Sequence, residues 1–289
     1  MNVTDTSVLW ATRNAAPFIA VPEAQDTKYS RGVLGIATGS KIYPGAAVLG
    51  VEAAMRTGIG MVRYVGPRIA RDLVLARRPE VVLVPGRVQA WLVGSGMDSS
   101  VRTHAESIRL QTALKSGCPI VIDAGALDLV GSATGPVVIT PHARELANLL
   151  LLKSEFEDRD ELVTQILAHP AVWVQRAADE LRVTVLLKGH TTHVATPADE
   201  RGARFHARIV APTTWLATAG TGDVLAGMLG ALLATHADQV LSNSDVLGPL
   251  AATAALLHGL AAEIASGGGP IAALDIGATI PAAVARVLS

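Results

Sequence analysis

Small and flexible residues lead into an apolar helix in the stretch Ala219-Gly220-Thr221-Gly222-Asp223-Val224-Leu225-Ala226-Gly227. Glycines at such a turn let backbone N–H groups converge at a helix N-terminus, where the helix dipole adds positive potential. This pattern predicts an anion cradle suited to a transferring phosphoryl group. Asp223 follows the cradle directly and is placed to take a proton from a hydroxyl nucleophile. A structural alternative stays open, in which Asp223 caps the helix and the glycines only turn the chain.

Short apolar runs alternate with helical segments across the rest of the chain. The runs predicted as strands are residues 33–37, 61–65, 80–84, 91–93, 119–123, 137–139, 182–187, 193–195 and 205–210. The segments predicted as helices are residues 44–56, 99–115, 143–152, 161–178, 223–235, 245–266 and 279–288. This alternation predicts an α/β fold with a mostly parallel sheet between two layers of helices. Since no linker divides the chain, we expect one domain over residues 28–289, preceded by a partly ordered segment over residues 1–27.

Polar residues stand where the predicted strands end, and ligands of open parallel sheets bind beyond the carboxyl ends of the strands. The polar groups are Gly39-Ser40, Gly94-Ser95-Gly96, Asp123-Ala124-Gly125, Thr140-Pro141-His142 and Lys188-Gly189. The chain has neither the phosphate-binding pattern G-x-x-x-x-G-K-[ST] nor a G-x-G-x-x-G after a strand. This disfavours P-loop nucleotide hydrolases and the common dinucleotide dehydrogenases.

Two of these groups carry side chains with chemistry of their own. Lys188 follows a buried strand and can neutralise a nucleotide phosphate, while Gly189 lets the backbone approach closely. A solvated lysine at a turn is the alternative. His142 either contacts a substrate or caps a helix whose Glu145 faces solvent.

Composition excludes some functions and raises one question. The net charge of -1 gives no basic field for nucleic acid. Half of the residues are hydrophobic, only 17% are charged, and the mean hydropathy is +0.39, which is unusual for a protein outside the membrane. The longest stretch without a charged residue runs only from Val246 to Ala262, which is shorter than the about 20 residues of a membrane-spanning helix. We therefore expect buried strands and closely packed alanine-rich helices, no membrane span, no signal peptide and a cytoplasmic protein.

Metal and disulfide chemistry have little support in the sequence. The eight His residues are scattered, and no spacing of Cys and His resembles a zinc site. The single Cys118 excludes a disulfide framework. We assign no metal ligand, although we expect Mg²⁺ to accompany the nucleotide.

Taken in order, these segments resemble the ADP/ATP-dependent NAD(P)H-hydrate dehydratases, a branch of the ribokinase-like superfamily. The elements most specific to that family are Tyr43-Pro44-Gly45-Ala46-Ala47 and Thr140-Pro141-His142 with Glu145. Further matches are Lys28-Tyr29-Ser30-Arg31-Gly32, Met55-Arg56-Thr57-Gly58-Ile59-Gly60, Val121-Ile122-Asp123-Ala124-Gly125, Leu187-Lys188-Gly189-His190-Thr191-Thr192 and residues 219–227. The resemblance begins at about residue 28 and continues to the C-terminus. Many relatives carry an epimerase domain ahead of this region, and we expect none within the short segment that precedes the match.

The resemblance implies a ribokinase-like three-layer α/β/α sandwich and a lyase that repairs a damaged coenzyme. Such enzymes phosphorylate the hydroxyl of the S form of hydrated NADH or NADPH with ADP or ATP, and phosphate then leaves to regenerate the coenzyme. It also implies a homotetramer. The resemblance also implies roles for individual residues. Asp223 activates the hydroxyl, and Gly220, Thr221 and Gly222 stabilise the phosphoryl group. The nucleotide is bound by Lys188, Gly189, His190, Thr191, Thr192 and Gly222, and the hydrate is contacted by Ala46, Gly96, His142 and Asp223.

Two departures and two alternatives accompany this prediction. The family usually has Gly-Gly where this chain has Ala219-Gly220, so we expect a slightly different loop at its first residue, because alanine reaches positive φ only at a cost. Gly94-Ser95-Gly96 stands where Gly-Pro-Gly is common. A small-molecule hydroxyl kinase of the same superfamily, such as a thiazole-alcohol kinase using ATP, is the first alternative. A nucleotide-binding module without catalysis is the second, although it would need no base such as Asp223.

Overall fold

The computed structural model describes residues 7–151, 158–199 and 202–289. The strands in these ranges are β1 (Val8–Leu9), β2 (Val33–Ala37), β3 (Met61–Tyr64), β4 (Ala90–Val93), β5 (Ile120–Ile122), β6 (Val137–Ile139), β7 (Thr184–Leu187), β8 (Thr191–Ala195) and β9 (His206–Val210). The α-helices are α1 (Thr12–Ala15), α2 (Gly45–Arg56), α3 (Arg68–Arg77), α4 (His104–Leu114), α5 (Ala143–Leu151), α6 (Arg159–Ala168), α7 (Pro170–Leu181), α8 (Thr221–Thr235), α9 (Ala237–Ser242), α10 (Leu247–Ser266) and α11 (Ala273–Leu288).

The nine strands form one sheet in the order β1-β9-β8-β7-β6-β5-β4-β2-β3. All neighbouring strands are parallel except at the pairs β7–β8 and β8–β9, so β8 is the one strand that runs against the rest. The runs predicted as strands at residues 193–195 and 205–210 lie in the antiparallel pair β8–β9. The mostly parallel α/β sandwich predicted from the sequence is confirmed.

Alternating side chains of the central strands serve two separate cores, one on each face of the sheet. Leu92 and Val121 point to the face covered by α2, α8, α10 and α11, whereas Val93 and Ile122 point to the face covered by α4, α5, α6 and α7. Because both faces are covered, strands β2, β4, β5 and β6 carry no polar side chain. This accounts for much of the high apolar fraction of the chain.

Close helix packing accounts for the rest. A Cβ added at Gly227 of α8 would lie 2.3 Å from the carbonyl oxygen of Gly50 in α2, so these two helices touch backbone to backbone. Residues Ser244–Ser266 are long and apolar enough to cross a membrane by length and composition alone, but 72% of the 18-residue window that passes this test is buried inside the molecule. Those apolar residues pack within the fold, and the buried helices α8 and α10 account for much of the scarcity of charge after residue 224.

Several predicted elements differ in their boundaries. Residues 80–84 do not form a strand, and only Val82 makes an isolated bridge to Arg63. The predicted helix over residues 99–115 is a 3-10 turn followed by α4, because Thr103 caps α4 in a capping box with Glu106. The helix predicted over residues 161–178 is divided into α6 and α7 at Pro170, whose ring cannot continue a helix. Helix α11 begins at Ala273, earlier than predicted, and residue 152 of the predicted 143–152 helix lies outside the described residues.

Part of the N-terminal segment packs onto the sheet. Strand β1 extends the sheet beside β9. Trp10 is buried, and its indole N–H donates to Thr253 Oγ1 of α10 at 3.3 Å. The domain boundary at residue 28 stays a prediction, but residues 8–19 contribute to the same core as the strands that follow.

Candidate active site

The carboxyl ends of the parallel strands meet at one edge of the sheet, as the sequence predicts. The chain runs from β2 outward to β3 and then back across to β4, so the gap between β2 and β4 is the topological switch point of the sheet. Clefts at such points are the usual ligand sites of open α/β folds. Here the loops after the two strands are joined, since Gly39 N–H donates to the carbonyl oxygen of Ser95 at 2.7 Å.

Asp123 lies at the centre of this edge, directly after β5. Its carboxylate is almost fully buried and accepts three hydrogen bonds from neighbouring strand ends: from Ser95 Oγ at 2.8 Å, Thr140 Oγ1 at 2.7 Å and Lys188 Nζ at 2.9 Å. The next residue, Ala124, has a φ of 44°, which costs an L-residue energy and persists only where the surroundings impose it. The turn after β5 is therefore built to hold the Asp123 carboxylate in one place.

Lys188 follows β7 and points inward rather than into solvent. Besides its bond to Asp123, its Nζ lies 3.7 Å from Glu145 Oε2. Burial disfavours the ammonium, but the negative charges of Asp123, Glu145 and Asp223 outweigh it, so the pKa of Lys188 lies above its ordinary value. The lysine is thus a fixed, charged group. The alternative of a solvated lysine at a turn does not describe this arrangement.

Asp223 lies at the third residue of α8, and Gly220, with a φ of 88°, occupies the N-cap. The simple alternative in which Asp223 is the capping residue is therefore not the arrangement found. Thr221, Gly222 and Asp223 are the first three helical residues, whose N–H groups have no carbonyl partner inside the helix. Burial and the charge of Asp123 raise the pKa of Asp223 to about 7, although Lys188 opposes the shift.

A cavity of about 440 Å³ opens beside this helix end. Lys188, Thr221 and Gly222 form its polar end, and the rest of its wall combines apolar side chains such as Ile209 and Leu225 with histidines and threonines. The residues that line it are Lys188, Gly189, His190, Thr192, Ile209, Ala211, Thr213, Thr214, Leu216, Ala217, Thr221, Gly222, Leu225, Ala255, His258 and Gly259. A charged end and an apolar body match the two parts of a nucleotide, its phosphates and its base. Of the five residues predicted to bind nucleotide after β7, Thr191 does not line the cavity and instead starts β8.

Besides Asp223, the three other residues predicted to contact the hydrate lie along the same edge of the sheet. Ala46 and Gly96 are in contact, since a Cβ at Gly96 would meet that of Ala46 at 2.4 Å. His142 caps α5: its N–H donates to Glu145 Oε2 at 2.8 Å, and its Nδ1 accepts from the N–H of Glu145 at 3.2 Å. Half of the His142 side chain is nevertheless exposed at the edge. Glu145 does not face solvent as the alternative supposed, because it approaches Lys188.

The loop ahead of α8 is less unusual than its sequence suggests. Gly220 has positive φ, whereas Ala219 is absent from the positive-φ residues of the described chain. An alanine at position 219 is therefore compatible with the backbone, and the expected difference from the family's loop stays a prediction. The same loop is tied to the residues that follow α10 by Trp215, whose indole N–H donates to the carbonyl oxygen of Gly268 at 3.3 Å.

Sequence reasoning missed the roles of Asp123 and Glu145 and the apolar wall of the cavity. Asp123 was noticed as a carboxylate after a buried strand, but its contact with Lys188 joins residues far apart in the chain. Within the described ranges, no group of three or more His, Cys, Asp or Glu side chains is arranged to hold a metal ion.

Comparison with known proteins identifies a family and several relatives that this chain resembles. The Carb_kinase family, described as NAD(P)H-hydrate dehydratase, matches residues 34–281. The bifunctional NAD(P)H-hydrate repair enzyme Nnr of Mycobacterium tuberculosis is 42% identical over 227 residues, which cover 74% of this chain and 43% of that protein. This chain thus spans less than half of the length of that relative.

Two further proteins match over nearly the whole chain. The ADP-dependent (S)-NAD(P)H-hydrate dehydratase of Neisseria meningitidis is 32% identical over 292 residues, covering 92% of this chain and 89% of that protein. The crystal structure of the ADP/ATP-dependent NAD(P)H-hydrate dehydratase from Bacillus subtilis, co-crystallised with ATP and Mg²⁺, superposes with a TM-score of 0.80 at 23% identity, covering 98% and 99% of the two chains. The structural match supports the fold, and the family match covers most of the chain. The chain belongs to the NAD(P)H-hydrate dehydratase family.

Proposed function

We propose that this protein is a carbon–oxygen lyase that dehydrates the S form of hydrated NADH or NADPH, with ADP as the phosphoryl donor. One observation carries the proposal: Asp223, a carboxyl group whose pKa is raised to about 7, stands at a helix N-terminus beside a fixed lysine and a cavity of nucleotide size. A group that exchanges its proton near neutral pH is suited to general base catalysis.

The first step transfers a phosphoryl group. The Asp223 carboxylate takes the proton of the hydroxyl on the damaged ring, and the hydroxyl oxygen forms a bond to the terminal phosphorus of ADP. The bond from that phosphorus to the bridging oxygen breaks, and AMP leaves with the electron pair. The N–H groups of Thr221, Gly222 and Asp223 stabilise the negative charge on the transferring group.

The second step is an elimination. The carbon–oxygen bond to the new phosphate ester breaks, phosphate leaves with the bonding electrons, and the neighbouring ring carbon loses a proton to form the double bond. Phosphorylation makes this possible because hydroxide is a poor leaving group and phosphate is a good one. The products are NADH or NADPH, AMP and phosphate.

The two substrates take different parts of the site in this proposal. The nucleotide occupies the 440 Å³ cavity, with its phosphates at Lys188 and Gly222 and its base against the apolar wall. The hydrate approaches over Ala46, Gly96 and His142 at the switch point. Asp223 stands between the two and contacts the hydroxyl.

Mg²⁺ fits this site only together with the nucleotide phosphates. Asp123 already accepts three hydrogen bonds, and Glu145 is engaged by the start of α5 and by Lys188. Mg²⁺ commonly binds through substrate phosphates and water with few protein ligands. When bound it supplies charge neutralisation at the phosphates, and we assign it no protein ligand.

We also propose a cytoplasmic homotetramer. Exposed apolar side chains, among them Ile42, Tyr43, Ile69 and Leu73, provide surface for contact between subunits. The measured mass in solution tests this, and a monomeric mass contradicts it.

The test of the main proposal is recovery of the reduced-nicotinamide absorbance when the protein is incubated with the S hydrate and either ADP or ATP. We expect recovery with stoichiometric AMP when ADP is used. A folded protein that gives no recovery with either nucleotide contradicts the proposal. A small-molecule hydroxyl kinase would instead give a stable phosphorylated alcohol, so product analysis with a thiazole alcohol and ATP distinguishes the two.

A further inference from the structure

The carboxylate of Asp123 bonds to residues that follow three other parallel strands at the candidate site. It contacts Ser95 after β4, Thr140 after β6 and Lys188 after β7, while it follows β5 itself. Its side chain is 3% exposed, so it has no access to substrate. A buried carboxylate that contacts no substrate but fixes a lysine in the site has a role that acts through its neighbours.

The backbone around Asp123 restrains it as closely as the hydrogen bonds do. Asp123 N–H donates to the carbonyl oxygen of Val93 at 3.0 Å, and its own carbonyl oxygen accepts from Ala126 at 3.1 Å. Arg102 Nη2 donates to the carbonyl oxygen of Gly125 at 2.6 Å. The positive φ of Ala124 is retained within this frame. Neither the carboxylate nor the turn that carries it has room to move.

We propose that Asp123 is a positioning residue for this reaction, whose carboxylate holds the Lys188 ammonium at the phosphate end of the cavity and supplies the negative charge that Asp223 faces. The inference rests on the proposed function, because it assigns Asp123 to the reaction that Asp223 carries out.

The charges around Asp223 come from several elements, and they act in different directions. Asp123 on the β5 turn raises the pKa of Asp223, and Lys188 on the β7 turn lowers it. Glu145 on α5 approaches Lys188 but does not contribute to the shift at Asp223. His258 of α10 lies near the backbone of Thr221, and burial lowers its pKa to about 4, so it is neutral at the pH of the reaction. Removing the charge of Asp123 therefore changes Asp223, whereas removing that of Glu145 does not.

The test compares Asp123→Asn with the matched variant Glu145→Gln, since both remove one carboxylate from Lys188. The rate of hydrate turnover with ADP is measured from pH 5 to 9. Because the base acts only when ionised, activity is lost as the pH falls through the pKa of Asp223. We call this fall in activity at low pH the acid limb, and we expect Asp123→Asn to move it at least one pH unit lower. We also expect the variant to reduce kcat at least tenfold at pH 8, because Lys188 has lost the carboxylate that holds it. We expect Glu145→Gln to leave the limb at the wild-type pH.

An Asp123→Asn limb at the wild-type position overturns the proposal, even if the rate falls, because a merely structural role reduces the rate without moving the limb. An equal shift in Glu145→Gln overturns it as well. Absence of turnover in the wild-type protein counts against the proposed function instead.

A measurement without activity tests the same charge effect directly, and Asp123→Ser takes the place of Asp123→Asn if the asparagine variant does not fold. The carboxyl carbon of Asp223 is titrated by NMR in the wild-type protein labelled at its aspartates, with Asp223→Asn supplying the assignment. We expect a midpoint near neutral pH in the wild type and a lower one in folded Asp123→Asn. A wild-type midpoint at the ordinary value for aspartate overturns the proposal.

Discussion

Lys188 Nζ lies 2.9 Å from Oδ1 of Asp123, and the two groups form a buried ion pair at the polar end of the cavity. The lysine is therefore held in place before a nucleotide arrives. An ion pair of this kind gives little net stability, but breaking it is costly because one buried charge is left without its partner. The pair connects the stability of the fold to the geometry of the candidate site.

Lys188→Met is expected to reduce the free energy of unfolding by about 3 kcal/mol, since it leaves the buried Asp123 carboxylate without its cation. Adding Asp123→Asn to this variant is expected to restore part of the loss, with a coupling energy of about 1–3 kcal/mol. Urea denaturation of the wild type, the two single variants and the double variant gives the four unfolding free energies from which this coupling energy is calculated. Simple additivity of the two single effects would contradict the pairing.

Asp223→Asn is expected to be more stable relative to the wild type at pH 8 than at pH 5. The pKa of Asp223 in the folded protein is about 7, against an ordinary value of 3.8. Between these values the unfolded chain has released the proton that the folded protein still holds, so the wild type loses stability as the pH rises from 4 to 7. Asparagine has no such proton, and the difference in unfolding free energy should change by about 1–3 kcal/mol across this range. A difference that does not vary with pH would mean that Asp223 titrates normally.

Asp223→Ala is expected to abolish turnover, with a loss of at least about 100-fold in kcat, while the Kd for ADP stays within about tenfold of the wild type. The reason is that a base acts in the transition state, whereas the helix N–H groups and Lys188 hold the nucleotide. Steady-state rates and calorimetric binding of ADP measure the two effects separately. Circular dichroism is the control, because a loss of folding would favour a structural role for Asp223.

The layered architecture was predictable because the strands carry a strong local signal. Val121 and Ile122 are both buried, on opposite faces of the sheet, and such continuous apolar runs between helical segments define a covered parallel sheet. The break at Pro170 was also visible in the sequence, although we predicted one helix across it. The start of α4 was misplaced for a similar reason: Thr103 caps the helix, although the spacing of apolar residues continues on both sides of it.

The site was predictable only in part, for a physical reason. Asp223 and Lys188 each stand in a short motif, and each motif could be found locally. The contact between Lys188 and Asp123 joins residues separated by 65 positions, and only the order of strands in the sheet brings them together. The pKa of Asp223 likewise depends on that charge and on burial, neither of which has a local signature.

Gly220→Ala is expected to damage both folding and activity, whereas Ala219→Gly is expected to leave kcat within about threefold of the wild type. Gly220 has a φ of 88°, and a Cβ there would lie 2.5 Å from Leu49 Cδ1. An alanine at this position costs about 1 kcal/mol or more from the backbone alone and displaces the helix N-terminus that faces the phosphates. Melting temperature and turnover of the two variants are compared. Equal behaviour of the pair would show that the positive φ is not required.

Glu52→Gln is expected to be strongly destabilising, although Glu52 lies outside the site. The Glu52 carboxylate is 1% exposed, lies on α2, and contacts Arg56 of α2, Arg77 of α3 and Arg78 directly after α3. Although burial opposes ionisation, the hydrogen bonds and charges of the arginines outweigh it and lower the pKa of Glu52 from 4.5 to about 2. The resulting stability is present above pH 4.5 and is lost as the pH falls towards 2.

The loss in Glu52→Gln should be about 3 kcal/mol at pH 7, because three cations lose their buried partner, and it should shrink as the pH is lowered from 4.5 towards 2. Glu80→Gln is the matched control. Glu80 also contacts Arg78, at 3.4 Å, but its side chain is 45% exposed, so its removal should cost less than about 1 kcal/mol. Urea denaturation at pH 7 and at pH 3 measures both variants. Since α2 carries Ala46 to the switch point and packs on α8, a stable Glu52→Gln protein would mean that the arginine cluster does not hold α2 in place.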